Sequence, residues 1–265
     1  MSFSLQILGT ASAMPISDRN PSAQALNVSG RLFLIDCGEG TQQRMRQMHL
    51  SFLRVESIFI SHIHGDHIFG LFGVLSTMSM YNRTQPLHVF GPEALRSIIR
   101  FYLSYFADGS NYEIIFHGVK VRSLTVIWES KNVKVSAFPL DHKIECYGYR
   151  FDEVLSKRSL EKRRAVSYAY CSDTQPFPEL VDYVRGSTVL YHETTYTKQL
   201  SDKASKYFHS STQDAARLAL EAGVEKLLIG HYSSRERNSK VFEAECREIF
   251  PNTIAVNDCD VIEIE

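Results

Sequence analysis

Apolar positions recur along the chain with two different spacings. Short runs of apolar and β-branched residues, bounded by turn-forming residues, are typical of buried β-strands. Strands are predicted at residues 3–8, 32–36, 57–60, 87–90, 133–138, 169–172, 188–192, 226–229 and 261–265. Longer segments with apolar residues three or four positions apart indicate amphipathic helices. Helices are predicted at residues 41–48, 67–81, 92–106, 178–185, 211–222 and 239–249. This alternation of strands and helices predicts an α/β fold.

The helix predicted at residues 211–222 has clearly marked ends. Ser211 can cap the first turn with its hydroxyl, and Asp214 adds a negative charge in that turn. Gly223 follows the last apolar position, where glycine commonly ends a helix. The C-terminal part of the chain is therefore expected to be αβ in character.

One segment departs from the alternating pattern. Residues 152–165 contain a concentration of positive charge, and Glu161 is the one acidic residue within 157–164. The basic residues are Lys157, Arg158, Lys162, Arg163 and Arg164. Such a segment is predicted to be an exposed basic insertion, either a loop or a short helix. Because 265 residues suit one large or internally duplicated domain, we predict a single domain over residues 1–265 that carries this insertion.

Composition narrows the class of protein. A hydrophobic fraction of 44% with 22% charged residues is typical of a globular protein, and the net charge of −1 does not by itself indicate a nucleic-acid partner. The five cysteines are odd in number and form no C-x-x-C pair, which argues against a disulfide framework and against a thiolate zinc site. The first ten residues lack the features of a signal peptide, and no run approaches the roughly 20 apolar residues of a membrane span. A soluble, cytoplasmic protein is expected.

The strongest chemical signal is the sequence His-Ile-His-Gly-Asp-His at residues 62–67, directly after a predicted strand. Residues two apart at the end of a strand point to the same side, so His62 and His64 can converge on one metal ion. The turn at Gly65 allows Asp66 and His67 to reach a second ion. Imidazole and carboxylate ligands without thiolate favour zinc, with manganese or iron as substitutes. The alternative, a chance cluster of histidines on an exposed turn, is much less typical of this spacing.

Further candidate ligands follow three downstream strands. His142 comes shortly after the strand at 133–138, Asp173 after 169–172, and His231 after 226–229. Polar residues at strand exits are where α/β proteins assemble active sites. Taken one at a time, each of these residues is equally compatible with an ordinary loop position.

With these seven residues in this order, the chain resembles the metallo-β-lactamase superfamily over nearly its whole length. The resemblance implies a four-layer αβ/βα sandwich of two mixed sheets flanked by helices. It also implies a ligand set in which one zinc ion is held by His62, His64 and His142, the other by Asp66, His67 and His231, and Asp173 bridges the two. The stretch Asp-Cys-Gly-Glu-Gly-Thr-Gln at 36–42 is similar to the superfamily's early aspartate motif, which supports the metal loop without binding the metal; a plain strand-to-helix turn is equally compatible.

Other residues resemble ribonuclease Z within that superfamily. Residues 15–20 are similar to its P-x-K-x-R-N loop, although Ser17 replaces the lysine. Residues 209–211 are similar to its H-S-T motif, with Ser211 in place of threonine, and 192–195 to its H-E-A-T stretch, with Thr194 in place of alanine. The resemblance implies cytoplasmic cleavage of the 3′ trailer from precursor tRNA by a homodimer, with no organic cofactor. The apolar helix at 68–81 is a candidate dimer interface, and core burial explains it equally well.

The implied mechanism uses two metal ions, about 3.5–4 Å apart, to produce a hydroxide that attacks the phosphodiester. Asp66, His209 and Glu193 are the predicted catalytic residues, with His209 as proton donor to the leaving oxygen and Glu193 orienting it. Alternatively, His209 only caps the neighbouring helix. The predicted RNA contacts are Arg19, Asn20, Ser211, Lys157, Arg158, Lys162, Arg163 and Arg164.

The chain also departs from the ribonuclease Z pattern in its length. That family projects a long arm, which clamps tRNA, between the strands leading to the residues that correspond to His142 and Asp173, whereas here about thirty residues separate them. A reduced arm favours an alternative function with the same metals: hydrolysis of a small molecule by a cyclic nucleotide phosphodiesterase, an arylsulfatase, or a thioester or lactone hydrolase. A third hypothesis, an inactive RNA-binding subunit, would be indicated by lost ligands, and all seven are present.

Overall fold

The computed structural model describes residues 3–107 and 109–265, which cluster into two compact units. The first unit contains Phe3–Lys120 and Asn257–Ile262, and the second contains Val121–Val256 and Glu263–Glu265. Each unit is built on its own seven-stranded sheet. The interpretation of the chain as one domain stays a prediction.

The first sheet is made mainly from the N-terminal half of the chain. Its strands are β1 (Phe3–Gly9), β2 (Ala23–Val28), β3 (Arg31–Cys37), β4 (Val55–Phe59), β5 (Leu87–Pro92) and β6 (Ile114–Val119), with β14 (Val261–Glu263) beside β1. The strands follow the order β14-β1-β2-β3-β4-β5-β6. Pairing is antiparallel from β1 to β3 and parallel from β3 to β6. The carboxyl ends of β3 to β6 therefore lie at one edge of this sheet.

The second sheet repeats this mixture of antiparallel and parallel pairing. Its strands are β7 (Thr125–Glu129), β8 (Val133–Leu140), β9 (Cys146–Glu153), β10 (Ser167–Cys171), β11 (Val189–Glu193), β12 (Lys226–Gly230) and β13 (Thr253–Ala255). They follow the order β13-β12-β11-β10-β9-β8-β7. Pairing is antiparallel from β7 to β10 and parallel from β10 to β13.

Helices cover an apolar face of each sheet. In the first unit these are α1 (Thr41–Gln47), α2 (Gly65–Ile68), α3 (Leu71–Met80) and α4 (Leu95–Phe106). In the second they are α5 (Lys157–Leu160), α6 (Leu180–Val184), α7 (Ser201–Tyr207), α8 (Thr212–Ala222) and α9 (Ser239–Arg247). Short 3-10 helices occur at Phe52–Arg54 and Lys198–Leu200. Each unit has its own core, in which Leu34, Ile58 and Val74 are buried in the first and Leu190, Ile229 and Ala219 in the second. Burial of these apolar side chains is the main source of stability in each unit.

All nine predicted strands are confirmed, with ends shifted by up to two residues. Five further strands were not predicted: β2, β6, β7, β9 and β13. Strand β2 has the sequence Ala-Gln-Ala-Leu-Asn-Val, which is poor in β-branched and aromatic residues, and β9 contains a glycine and three charged residues. Their pairing partners on both sides, not their own composition, determine that they form strands.

The predicted helices are confirmed, but the one at residues 67–81 was wrong as a single helix. The structure breaks it into α2 and α3 between Ile68 and Leu71. Gly70 lies at the break, where its N–H donates to the carbonyl of Cys37. A Cβ atom at Gly70 would lie 2.0 Å from the Gly38 carbonyl oxygen, so only glycine allows this close approach. The backbone contacts of Gly70 therefore hold the segment after residue 64 against the loop that follows β3.

The basic segment forms the short connection between β9 and β10, at residues 154–166, and contains the single turn of α5. Among the residues that the structure describes, no helix has the length and apolar character needed to span a bilayer.

Candidate metal centre

In the first unit, Asp36 organises the loop that carries residues 62–67. Asp36 is fully buried at the end of β3, and its backbone is left-handed, with φ of 55°. Its carboxylate accepts hydrogen bonds from the Ser61 backbone N–H at 2.7 Å, from the Ser61 hydroxyl at 2.8 Å and from Nδ1 of His67 at 2.7 Å. The predicted supporting contact of Asp36 with this loop is confirmed.

The hydrogen bonds of Ser61 also determine the tautomer of His62. The Ser61 hydroxyl proton goes to Asp36, so Nδ1 of His62, 3.0 Å from the same hydroxyl oxygen, is the donor in their hydrogen bond. Nε2 of His62 then keeps its lone pair and lies 3.0 Å from Nδ1 of His64. Two nitrogen ligands of one tetrahedral zinc, at about 2.0–2.1 Å from the ion, are separated by about 3.3 Å. The two nitrogens are thus close enough to share one ion, and the binding of a metal by His62 and His64 stays a prediction.

Asp66 and His67 form a second pair on the same loop. Nδ1 of His67 donates to Asp36, which leaves the lone pair on Nε2, and Nε2 lies 3.5 Å from Oδ2 of Asp66. The backbone N–H of Ala13 donates to the same carboxylate oxygen at 2.8 Å. This hydrogen bond from the loop after β1 therefore fixes the orientation of the Asp66 carboxylate.

In the second unit, Asp173 lies between two imidazoles at the end of β10. Its Oδ1 is 3.2 Å from Nε2 of His231, and its Oδ2 is 3.9 Å from Nε2 of His142. The two carboxylate oxygens thus face different histidines, and Oδ2 is also 4.0 Å from Nδ1 of His209. A carboxylate in this position can serve as a metal ligand.

Both of these histidines are oriented through their other ring nitrogen. Nδ1 of His142 lies 2.9 Å from the carbonyl oxygen of Phe208 and so must carry the proton. Nδ1 of His231 lies 2.9 Å from Oγ1 of Thr195, whose own proton goes to Glu193 at 2.7 Å. In both rings Nε2 keeps the lone pair that a metal requires and faces Asp173.

Glu193 is a fully buried carboxylate at the end of β11, and it accepts hydrogen bonds from several directions. Its Oε1 accepts from the Ser210 backbone N–H and from Nδ1 of His209, each at 2.9 Å, and its Oε2 accepts from the backbone N–H and hydroxyl of Thr195. Burial acts to raise the pKa of Glu193, but the imidazoles of His209 and His231 together lower it by more, so the pKa lies below its usual value. Glu193 is therefore an anion that stabilises a proton on His209.

The side chain of His209 does not cap helix α8, and its backbone N–H donates to the carbonyl of Ala204 near the end of α7. Helix α8 is capped by Ser211, whose hydroxyl accepts from the N–H of Asp214, while the Asp214 side chain accepts from the Ser211 N–H. This reciprocal pair is a capping box, as the sequence predicted for the cap residue. The side chain of His209 is 16% exposed, whereas that of Glu193 is fully buried. His209 is thus available to contact a ligand through its remaining ring nitrogen.

The residues predicted to contact RNA lie in different environments. Ser211 is 1% exposed and engaged in its capping box, and Arg19 is buried in the turn that it forms with Ile16. Asn20 lines a cavity of about 310 Å³ in the first unit, together with Glu39 and Gln43. The contacts of these residues with RNA stay predictions.

The basic residues of the β9–β10 connection are all exposed. Arg163 forms a two-pronged ion pair with Glu153, at 2.6 and 2.7 Å, and Arg164 forms one with Glu225. These two side chains therefore help to hold the connection against the second sheet. Lys157, Arg158 and Lys162 present their charge to solvent, and RNA contact by all five stays a prediction.

Ser61, Thr195 and Phe208 were not identified as functional residues from the sequence, although each fixes the tautomer of a histidine. Ser61 and Thr195 carry a detectable signal, because a hydroxyl residue next to a candidate ligand can orient it. Phe208 carries none, since it acts through its backbone carbonyl.

The donor set fits zinc in both units. Its members are imidazole nitrogens and carboxylate oxygens, and four of the imidazoles are oriented by a hydrogen bond at the opposite ring nitrogen: those of His62, His67, His142 and His231. No cysteine belongs to a cluster of candidate ligands among the described residues. Cys37 adjoins Asp36, and burial raises the pKa of its thiol to about 12. All five cysteines are free thiols.

Comparison with known proteins identifies the family. A family model described as Anti-Pycsar protein Apyc1 matches residues 3–249. Ribonuclease Z from Bacteroides fragilis (strain YCH46) is 35% identical to the chain, over 97% of this chain and 97% of its own. The chain belongs to the ribonuclease Z family. Ribonuclease Z from Porphyromonas gingivalis (strain W83) is 36% identical with the same coverage of both chains. The sequence resemblance to ribonuclease Z is thus confirmed.

Solved structures agree with this family assignment. The crystal structure of human tRNase Z, short form, superposes with a TM-score of 0.83 and 27% identity, covering 99% of both chains. The metallo-β-lactamase fold protein YhfI from Bacillus subtilis superposes with a TM-score of 0.81 at 16% identity, which supports the fold alone. The predicted fold class is confirmed: the ribonuclease Z family member described here has the metallo-β-lactamase fold, with two mixed sheets flanked by helices.

Proposed function

We propose that this chain is a metal-dependent endoribonuclease that cleaves the 3′ trailer from precursor tRNA. The observation that carries the proposal is Asp173, whose two carboxylate oxygens face Nε2 of two different histidines in a chain that belongs to the ribonuclease Z family. A carboxylate whose two oxygens face different histidines can bridge two ions. The intact set of seven ligand residues argues against an inactive RNA-binding subunit.

The proposed site holds two zinc ions. His62, His64 and His142 would hold one ion, Asp66, His67 and His231 the other, and Asp173 would bridge them. When bound, such a pair of ions lowers the pKa of water and neutralises charge on the phosphoryl oxygens. The hydrogen bonds that His67, His231 and His142 donate through Nδ1 support this assignment, because they leave Nε2 of each ring unprotonated. The acceptors are the Asp36 carboxylate, the Thr195 hydroxyl and the Phe208 carbonyl.

His209 is the proposed proton donor to the departing ribose oxygen. Its Nδ1 is held by Glu193 at 2.9 Å, which turns Nε2 away from the carboxylate and stabilises the doubly protonated ring. Glu193, His209 and His231 also present ligand atoms within 4.8 Å of one another. We assign Glu193 a positioning role, since five protein hydrogen bonds already occupy its oxygens. Asp66 is proposed to act both as ligand and as a catalytic residue, held in place by the Ala13 N–H.

RNA binding is proposed to depend on local charge, because the net charge of the chain is only −1. Lys157, Arg158 and Lys162 would contact phosphates, which adds affinity without sequence preference. Arg163 and Arg164 would contribute less to RNA affinity. To contact a phosphate, each would have to share or break its ion pair with Glu153 or Glu225, respectively. Arg19, Asn20 and Ser211 are proposed to contact RNA on the strength of their motifs alone.

The test is to incubate zinc-loaded protein with precursor tRNA and, separately, with bis(p-nitrophenyl) phosphate. A single cut that leaves a 3′-hydroxyl on the tRNA supports the proposal. Hydrolysis of the small ester without any cut in the tRNA would contradict it and favour a small-molecule hydrolase with the same metals. One observation favours that second candidate: the β9–β10 connection spans only residues 154–166.

A homodimer is also proposed. Phe69 is 72% exposed and Met80 is 78% exposed at the two ends of the segment predicted as the interface, and exposed apolar residues of this kind mark interaction surfaces. Sedimentation analysis of the wild type and of Met80→Lys would show a dimer that the substitution weakens; a monomeric wild type would contradict this.

A location in the reducing cytoplasm is also proposed, and the five free thiols support it.

A further inference from the structure

Two histidines outside the site described above lie side by side on neighbouring strands. His88 is in β5 and His117 in β6, which is the edge strand of the first sheet. The strands are parallel, with His88 opposite Ile115 and Phe90 opposite His117. Nδ1 of His88 and Nε2 of His117 are 2.9 Å apart. This separation matches the 3.0 Å between Nε2 of His62 and Nδ1 of His64 in the candidate metal centre.

Packing holds the two rings in this arrangement. The ring of Phe90 stacks on His117 with a centroid distance of 4.4 Å and an interplanar angle of 10°. The His88 and His117 ring centroids are 5.2 Å apart, and both side chains are partly exposed. The two rings are therefore held close together and can be reached from solvent. The proton of the hydrogen bond between them would move to the opposite ring nitrogen when both rings bind a cation.

The electrostatic surroundings also suit a cation. Burial lowers the pKa of His88 and of His117, so both rings are neutral near pH 7, which is the form that binds metal. The carboxylates of Glu56 and Glu113 act on His88 and favour positive charge there, while Arg83 opposes them. Glu56 is partly neutralised by Arg31, at 3.0 Å.

We propose that His88 and His117 bind a first-row divalent cation, such as zinc, in a site separate from the proposed catalytic pair. Water completes its coordination, because no cluster of three or more candidate ligands within the described residues includes either histidine. Two protein ligands bind more weakly than a closed set of four. A bound ion would tie the edge strand β6 to β5.

The test uses full-length protein whose tight zinc sites are filled and from which excess zinc has been removed. Titration with ZnCl₂ at pH 7.5, followed by calorimetry, is expected to show one further and weaker zinc per chain. His88→Gln and His117→Gln should each weaken this event by at least about tenfold and leave the tight zinc content unchanged. His49→Asn is the matched control, since His49 is exposed and has a left-handed backbone that asparagine tolerates, and it should bind the further zinc normally.

A second measurement on the wild type keeps the test independent of whether the variants fold. Histidine ring resonances followed by NMR during the same titration should shift for His88 and His117 and stay in place for His49. No further zinc up to millimolar concentration, or equal binding by the His88→Gln/His117→Gln double variant, would overturn the proposal. The expected zinc event does not depend on nuclease activity, so failure of the proposed function leaves this test intact.

Discussion

The two units supply their candidate ligands in different ways. In the first unit, four ligands lie on one loop of six residues after β4, and one buried carboxylate, that of Asp36, organises the loop. In the second unit, His142, Asp173 and His231 come from the exits of three different strands and are separated by up to 89 positions along the chain (231 − 142). Their support comes from scattered groups: a backbone carbonyl, a threonine hydroxyl and the buried carboxylate of Glu193.

This difference shows two routes to the same donor chemistry. A local loop can place ligands through its own turn geometry and one supporting residue, whereas dispersed ligands depend on the register of a whole sheet. Substitutions in the first unit are expected to act mainly on metal affinity. In the second unit they should divide into effects on metal affinity and effects on proton transfer, because Glu193 contacts both Thr195 and His209.

The largest effect is expected for Asp173→Asn, which removes the charge between the two histidines of the second unit. Zinc content should fall, and tRNA cleavage should drop by more than about a thousandfold, since metal chemistry supplies several kcal/mol of the rate enhancement. Asp141→Asn is the control. Asp141 follows β8 as Asp173 follows β10, but its carboxylate contacts Gln175. Zinc content is measured by mass spectrometry, and turnover is measured as tRNA cleavage. Full activity in Asp173→Asn would contradict a bridging role for Asp173.

His209→Ala is expected to keep both zinc ions and to lose about 10²–10³ in the rate of tRNA cleavage. Hydrolysis of bis(p-nitrophenyl) phosphate should change only a few-fold, since p-nitrophenolate departs without a proton. Rates on both substrates, beside zinc content, separate a proton donor from a ligand. Equal losses on both substrates, or loss of zinc, would show that His209 does not act as the acid.

Asp36→Asn tests the organising residue of the first unit. Asparagine tolerates the left-handed backbone, but its amide cannot accept hydrogen bonds at both oxygen positions from Ser61 and His67. Zinc affinity should fall by about 10–100-fold, the usual cost of losing a residue that orients a ligand. A chelator competition assay measures this. Wild-type affinity would mean that the loop holds its geometry without Asp36.

The smallest effect is expected for Thr195→Val, the corresponding change in the second unit. The hydroxyl that joins Glu193 to Nδ1 of His231 is lost, and zinc affinity should fall by about tenfold. Thr195→Ser retains the hydroxyl and should behave as wild type. If the valine variant weakens zinc more than Asp36→Asn does, then the dispersed half, not the loop, depends more strongly on its supporting contacts.

Structural features were predicted correctly from the sequence where their determinants are close together in the chain. Features that depend on contacts between distant residues were missed. Residues 62–67 carry their own signal, and the capping residue of α8 was found because Ser211, Asp214 and Gly223 are close in sequence. Strands β2 and β9 were missed because their pairing partners make them strands despite weak composition. The pairing of His88 with His117 was also missed, since it requires the register of β5 and β6. The break at Gly70 arises from a backbone contact with the loop after β3, which no periodicity reveals.

The seven candidate ligand residues are proposed to hold two zinc ions. A crystal structure of the zinc-loaded protein, with anomalous diffraction at the zinc edge, would locate these ions. We expect two strong peaks, each bound by residues from 62–67 and by His142 or His231, with Asp173 contacting both. A single peak, or ions bound by one unit alone, would contradict this proposal.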